Sequence, residues 1–151
     1  MTPWGPDLAR GIVDGVTTAT ERTILVATDA DEVLDEVDAA LSDSTTQVVR
    51  VTAGRDVLGA IDLVDPDLVV LDLQIGSMGG VATALAIRNE VSAGRIEARP
   101  ILMLLDRVSD VYLATRAEAD GWLIKPLDAL RLRRAADEVL DGGFYEETLA
   151  S

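Results

Sequence analysis

Short runs of apolar residues alternate along the chain with segments whose apolar residues recur every three or four positions. The runs predict buried β-strands, because a strand covered on both faces carries few polar residues, and the spaced segments predict amphipathic helices. This alternation is typical of strand–helix units that build a parallel sheet. The predicted strands are residues 24–27, 47–51, 68–71, 101–105 and 121–124.

Each predicted strand is followed by a helix with an apolar stripe. The stripes are Val33, Val37, Ala40 and Leu41; Val57, Leu58, Ile61 and Val64; Ala84, Ile87 and Val91; Val108, Val111, Tyr112 and Thr115; and Leu132, Ala136, Val139 and Leu140. Asp128 is placed to cap the last helix, and Gly142 and Gly143 to end it. Arg50 predicts that the second strand lies at a sheet edge, whereas the wholly apolar third strand is expected at the centre. Five such units predict one α/β domain, a three-layer, doubly wound, five-stranded parallel sheet.

The boundaries of the domain follow from where this pattern starts and stops. The 151 residues suit one domain, which we assign to residues 23–141. Residues 1–22 show little periodicity and are expected to form a mobile extension, and residues 142–151 a linker-like tail. The chain shows neither the apolar region of a signal peptide nor a run of roughly 20 apolar residues, so we expect a cytoplasmic protein and no membrane span.

The amino-acid composition limits which partners the chain can bind and which reactive groups it can supply. The chain carries 27 acidic against 13 basic residues, a formal net charge of −14, which disfavours contact with nucleic acid or an anionic membrane. It contains no Cys and no His, which excludes disulfides, thiol nucleophiles, imidazole bases and the common zinc sites. Any reactive site must therefore use carboxylates, hydroxyls and cations.

Charged residues follow several of the predicted strands. Asp29 follows the first strand, Asp72 the third and Lys125 the fifth, and ligands of open parallel sheets bind beyond these carboxyl ends. Carboxylates with water and phosphate suit Mg²⁺, and an ammonium meets phosphate as a point charge. Lys125 is the one lysine beside 12 arginines. Each residue alone is explained as well by a helix cap or a solvated surface charge, but together they favour a site for a phosphoryl group.

The chain resembles the receiver domain of bacterial two-component response regulators over residues 23–140. The resemblance is carried by ILVATDADEVLDEV at 24–37, PDLVVLDLQIGSMGG at 66–80, PILMLL at 100–105 and GWLIKPLD at 121–128. It implies a flavodoxin-like fold with strand order 2-1-3-4-5. It also implies a signalling module rather than an enzyme.

The resemblance assigns roles to the residues at the strand ends. Asp72 would be the phosphoacceptor that attacks a phosphohistidine on a sensor histidine kinase. Mg²⁺ would be bound by Asp29, Asp72 and the backbone carbonyl of Gln74. Lys125 would contact the phosphoryl group, and Pro126 would follow a cis peptide bond.

The chain departs from the family pattern in ways that affect both metal binding and switching. Thr28 replaces the first of two acids, which predicts weak Mg²⁺ binding. Leu105 replaces the Thr or Ser whose hydroxyl follows the phosphoryl group, so the coupling of phosphorylation to shape should be reduced. Asp106 occupies a place that is normally small and neutral, where it would either repel the phosphoryl group or replace the lost carboxylate. Trp122 matches the aromatic residue that moves with the switch, and a buried packing role is the alternative.

The resemblance also bears on partners. The stretch EVLDGGFYEETLAS at 138–151 resembles a linker to an output domain, so the chain is either a stand-alone receiver or one cut before its output domain. A downstream protein partner, or a homodimer, is expected at helix 4, strand 5 and helix 5, including Arg116, Asp120 and Arg131. Arg131, with Arg133 and Arg134, is otherwise expected to lie on a solvated helix face.

Two functions remain open at this point. The first is a receiver phosphorylated on Asp72 that signals through protein contact. The second is a pseudo-receiver, an interaction module whose partner binding ignores phosphate, which Thr28 and Leu105 favour. A flavodoxin-like FMN protein or small enzyme is disfavoured, because the acids Asp29, Asp31 and Glu32 follow the first strand where an FMN phosphate needs hydroxyls and free N–H groups.

Overall fold

The structure is a computed structural model that describes residues 22–147 of the chain; the predicted N-terminal extension lies almost wholly outside this range. The strands are β1 (Arg22–Ala27), β2 (Thr46–Val51), β3 (Leu68–Asp72), β4 (Ile101–Leu105) and β5 (Gly121–Ile124). The helices are α1 (Asp31–Leu41), α2 (Val57–Val64), α3 (Gly80–Ser92), α4 (Val111–Arg116) and α5 (Ala129–Leu140). The strands pair in parallel in the order β2-β1-β3-β4-β5, as predicted.

Successive strand residues point to opposite faces of the sheet, and each face carries its own apolar core. Leu71 faces α2, α3 and α4, whereas Val70 faces α1 and α5. All five residues of β3 are buried, which confirms its central position, and β2 forms an edge with Arg50 half-buried. The result is the predicted three-layer arrangement. Within residues 22–147, none of the helices combines the length and apolar character that a membrane crossing requires.

The ends of two helices follow the local sequence. The Asp128 carboxylate accepts a hydrogen bond of 2.9 Å from the backbone N–H of Arg131, so it caps α5 as predicted. Gly142 follows α5 in the left-handed region at φ 89°, where a residue without a Cβ is least strained. Both ends of α5 are therefore determined by residues next to them in the sequence, and the loop after β5 ends where Asp128 caps the helix.

The stripe predicted for the fourth helix is wrong except at Val111, which begins α4 and packs partly buried against the core. Val108 lies in a preceding 3₁₀ turn (Val108–Asp110), and Val108, Tyr112 and Thr115 are all exposed. The fully buried contacts are made by Ala114 and by Ala117, which follows the helix. Small side chains let a six-residue helix lie close to the sheet, so the bulky residues that suggest a stripe face outward.

Residues after α5 run along the outer edge of β5. The backbone N–H of Trp122 donates to the carbonyl of Tyr145 at 3.0 Å, and the Tyr145 N–H donates to the Asp120 carbonyl at 3.1 Å. A Cβ on Gly121 would lie 2.8 Å from the Tyr145 carbonyl oxygen, so this approach requires glycine. The sequence offered no sign of this pairing, because it involves a single bridge outside any periodic segment.

Candidate functional site

The candidate site is built on strand ends that the topology brings to one edge of the sheet. Ala27 pairs with Leu71, so Thr28 comes beside Asp72 and Asp29 lies one residue further along. Leu105 pairs with Ile124, so Asp106 and Lys125 also leave neighbouring strands together. Four loops therefore meet around Asp72, whose side chain is only 2% exposed.

The Asp72 carboxylate has three hydrogen-bond donors around it. Its Oδ1 atom accepts from Lys125 Nζ at 2.9 Å and from the backbone N–H of Gln74 at 3.1 Å. Its Oδ2 atom accepts from Thr28 Oγ1 at 2.7 Å. Since a carboxylate oxygen can accept about two hydrogen bonds, Oδ2 keeps room for a metal ion or for bond formation.

Lys125 is held in place through both its backbone and its side chain. Its N–H donates to the Leu105 carbonyl at 2.8 Å, and the Lys125–Pro126 peptide bond is cis. Burial lowers the pKa of Lys125, but hydrogen bonds and attraction to Asp72, and then to Asp106, outweigh burial and raise the pKa above its ordinary value. The ammonium therefore stays charged and directed at Asp72.

Asp106 is the second partner of this lysine. Its Oδ1 atom lies 3.2 Å from Lys125 Nζ, and its Oδ2 atom is buried with no hydrogen-bond partner among residues 22–147. The buried Asp110 carboxylate accepts from the backbone N–H groups of Asp106, at 3.3 Å, and of Arg107, at 3.0 Å. The sequence reasoning missed Asp110, although its position three residues after Arg107 is where a turn-capping acid is expected.

Asp29 is exposed and joins two loops of the site. Its Oδ2 atom accepts a hydrogen bond of 3.1 Å from the backbone N–H of Gly76, in the loop after β3. No cluster of three or more acidic side chains suited to a metal ion occurs in the described part of the chain. The side-chain donors available to Mg²⁺ are the two carboxylates of Asp29 and Asp72, with the neutral hydroxyl of Thr28 beside Asp72. Mg²⁺ commonly uses one or two carboxylates with water, so this set fits the ion in kind.

The two predicted switch positions are packed in the core. Leu105 is fully buried in the cluster that includes Ala114, Ala117 and Trp122. Trp122 is 5% exposed and meets the Phe144 ring edge-to-face, with a centroid distance of 5.2 Å. Its indole Nε1 is buried with no hydrogen-bond partner in the described range. In this structure Trp122 is packed in the core.

Two of the three residues predicted for the contact face form ion pairs with other residues of the same chain. Arg131 is not a solvated cation as expected, because it forms an ion pair with Glu147 and donates to the Ile124 carbonyl at 2.8 Å. Asp120 accepts from Arg88 at 2.9 Å. Arg116 does remain exposed, and its guanidinium donates to the Tyr112 hydroxyl at 2.8 Å. Of the three residues predicted for this face, Arg116 on α4 is therefore the one that remains exposed.

Comparison with known proteins identifies a single family. The profile of the response regulator receiver domain matches residues 24–137. The nitrate/nitrite response regulator protein NarL of Escherichia coli K12 is 27% identical over 103 residues, which cover 68% of this chain and 46% of NarL. The DNA-binding response regulator MtrA of Mycobacterium leprae is 31% identical over 119 residues, covering 67% of this chain and 50% of MtrA. The chain thus spans about half the length of these curated relatives.

Solved structures agree with these sequence matches. The receiver domain of NtrX from Brucella abortus superposes with a TM-score of 0.68 at 28% identity, covering 78% of this chain and 98% of that one. The chemotaxis response regulator CheY4 of Vibrio cholerae gives a TM-score of 0.70 at 24% identity, with 80% and 99% covered. At that identity, CheY4 supports the fold alone.

Proposed function

Because the chain belongs to the response regulator receiver domain family of two-component signalling, we propose that it accepts a phosphoryl group on Asp72 and relays the signal by protein contact. One observation carries the proposal: the buried Asp72 carboxylate lies 2.9 Å from Lys125 Nζ and keeps an open position on Oδ2. A nucleophilic carboxylate and a fixed cation are what phosphoryl transfer requires from a protein, since it depends on positioning and charge.

The proposed reaction is an exchange between two carriers of the phosphoryl group. An oxygen of Asp72 forms a bond to phosphorus while the phosphorus–nitrogen bond of a phosphohistidine on a sensor histidine kinase breaks. The electron pair leaves with the imidazole, which takes up a proton. Lys125 balances negative charge on the phosphoryl oxygens during this transfer.

The site would bind Mg²⁺ through Asp29, Asp72 and the backbone carbonyl of Gln74. The ion would supply positive charge next to the transferring group, as divalent metals do in phosphoryl transfer. Thr28 contributes a hydroxyl where a third carboxylate would add charge, so the affinity for Mg²⁺ should be low. Asp29 is already ordered for this role by the Gly76 N–H.

We assign the contact with a downstream protein, and any homodimer, to the face formed by α4, β5 and α5. Tyr112 is exposed there beneath the Arg116 guanidinium, and Val108 is exposed in the turn before α4. The net charge of −14 argues against direct binding of nucleic acid by this domain. We place the protein in the cytoplasm, where sensor kinases present their phosphohistidines.

A phosphorylation-independent interaction module is the second candidate, and Leu105 supports it. Its side chain is fully buried and has no hydroxyl with which to sense a phosphoryl group. If partner binding depends only on the resting shape, it should be unaffected by phosphorylation. The two functions therefore differ in whether Asp72 is chemically modified and whether that matters to the partner.

The proposal is tested by intact-mass measurement after incubation with Mg²⁺ and a small phosphodonor such as acetyl phosphate. We expect the wild type to gain one phosphoryl group and the Asp72→Asn variant to gain none. Asp62→Asn, an exposed change on α2, is the matched control and should behave as the wild type. A wild type that gains no mass would favour the second candidate.

A further inference from the structure

The one lysine of the chain is shared between two carboxylates. Lys125 Nζ lies 2.9 Å from Asp72 Oδ1 and 3.2 Å from Asp106 Oδ1. Its three N–H donors are thus largely committed before any phosphoryl group arrives. Asp106 comes from the loop after β4, so the two acids hold the ammonium from different strands.

The position of Asp106 is built into the fold. Its backbone N–H is fixed by the buried Asp110 carboxylate, and its own Oδ2 atom is buried without a partner in residues 22–147. An unpartnered buried carboxylate oxygen is costly. The attraction to Lys125 is the one interaction of the Asp106 side chain in the described structure that offsets this cost.

These contacts also distinguish two roles that Asp106 could have, as a replacement for the missing metal ligand or as a partner of Lys125. A carboxylate that replaced the missing metal ligand would have to join Asp29 and Asp72, yet the described residues contain no such cluster of three acids. The observed partner of Asp106 is the cation instead. Asp106 therefore acts on the side of the site that would receive the phosphoryl oxygens.

We infer that Asp106 is a positioning residue that competes with a phosphoryl group on Asp72 for Lys125 and so slows the phosphorylation of Asp72. This inference rests on the proposed phosphorylation of Asp72. A phosphorylated Asp72 would place a dianionic group beside the fixed Asp106 carboxylate, and like charges at close range repel each other. The same carboxylate holds back the ammonium that would otherwise neutralise the new charge.

The direct test is the initial rate at which the protein gains a phosphoryl group from acetyl phosphate with Mg²⁺, followed by intact mass. For Asp106→Asn and Asp106→Ala we expect a rate higher by about fivefold, the effect of removing one partly exposed ion pair. Asp106→Glu keeps the charge and should stay near the wild type. An unchanged or lower rate in both neutral variants would overturn the inference.

A further readout needs no phosphorylation. Because Lys125 is the one lysine, its side-chain signals in a protein labelled at lysine are unambiguous in NMR spectra. Asp106→Asn should shift these signals at neutral pH, since it removes the carboxylate oxygen that lies 3.2 Å from Lys125 Nζ. Unchanged signals would contradict the inference. A wild type that never takes a phosphoryl group contradicts the proposed function, whereas a phosphorylated chain that ignores Asp106 contradicts the inference alone.

Discussion

Thr28 Oγ1 donates a hydrogen bond of 2.7 Å to Oδ2 of Asp72, and both side chains are buried. The same Thr28 oxygen accepts from the backbone N–H of Ala30 at 3.1 Å, which fixes the hydroxyl at the end of β1. Thr28 therefore stabilises the charged Asp72 without adding a negative charge. A carboxylate in its place would repel Asp72 unless a cation lay between them.

The affinity for Mg²⁺ should depend on residue 28. In Thr28→Asp we expect at least about tenfold tighter binding, ~1.4 kcal/mol, a modest part of the gross attraction because desolvation opposes it. Isothermal titration of Mg²⁺ into the two proteins measures the difference. Equal affinities would show that Thr28 does not limit metal binding.

Thr28→Val is the matched control for this experiment. It keeps the shape of the side chain but leaves Asp72 Oδ2 without its donor, so it should lower the free energy of unfolding by about 1–3 kcal/mol. It should not tighten Mg²⁺ binding, because it adds no charge. Chemical denaturation and the same titration provide both values.

Restoring a hydroxyl at the end of β4 should strengthen the response to phosphorylation. Leu105→Thr should lower the free energy of unfolding by about 2–3 kcal/mol, because it removes buried apolar atoms and buries a hydroxyl. It should also enlarge the difference in amide hydrogen exchange across α4 between the free and phosphorylated forms. A hydrogen bond to a charged phosphoryl group, worth ~1.5–3 kcal/mol, is the physical reason.

Leu104→Thr separates the two effects. Leu104 is equally buried but packs on the opposite face of the sheet, against the core that contains α1 and α5. It should destabilise the fold to a similar extent without changing the exchange of α4 on phosphorylation. If the two variants respond alike, the hydroxyl at position 105 has no special part in coupling.

Glu147 should contribute stability that depends on pH. Burial raises its pKa, but the hydrogen bonds from Arg131 and from the Ile124 N–H outweigh burial and lower the pKa below its ordinary value of 4.5. A lowered folded pKa gives stability that is present above the unfolded pKa and is lost as the pH falls through the folded pKa. Glu147→Gln should therefore cost about 1–2 kcal/mol at pH 7 and progressively less below pH ~4.5.

Denaturant unfolding of Glu147→Gln at several pH values measures this dependence. Glu146→Gln is the control, because Glu146 is the exposed neighbour and should have little effect at any pH. A cost for Glu147→Gln that does not change between pH 7 and pH 3 would rule out the ion pair with Arg131 as its source.

Much of the fold could be predicted because a strand that is buried on both faces of a sheet appears in the sequence as a run of apolar residues. The apolar run of β3 identified the central strand, and Arg50 identified the edge. The convergence of Asp72 and Lys125 also followed, since parallel strands bring their carboxyl ends to one side of the sheet. These inferences need only periodicity and topology.

What could not be predicted depends on side-chain direction and on single tertiary contacts. Ala114 makes the buried contact of α4, and an alanine gives little hydrophobic signal. From the sequence, Asp106 could lie near the proposed Mg²⁺ site or near Lys125. The observed distance of 3.2 Å between Asp106 Oδ1 and Lys125 Nζ distinguishes these two positions. The ion pair of Arg131 with Glu147 joins residues on either side of a turn that has no periodic pattern.

The most direct test of the central claim is to locate the phosphoryl group on the chain. Treating phosphorylated protein with borohydride reduces an aspartyl phosphate to homoserine and releases phosphate, and tandem mass spectrometry of peptides then gives the position. We predict homoserine at position 72 in the wild type. Homoserine at another aspartate, or at none while Asp72 remains intact, would contradict the account.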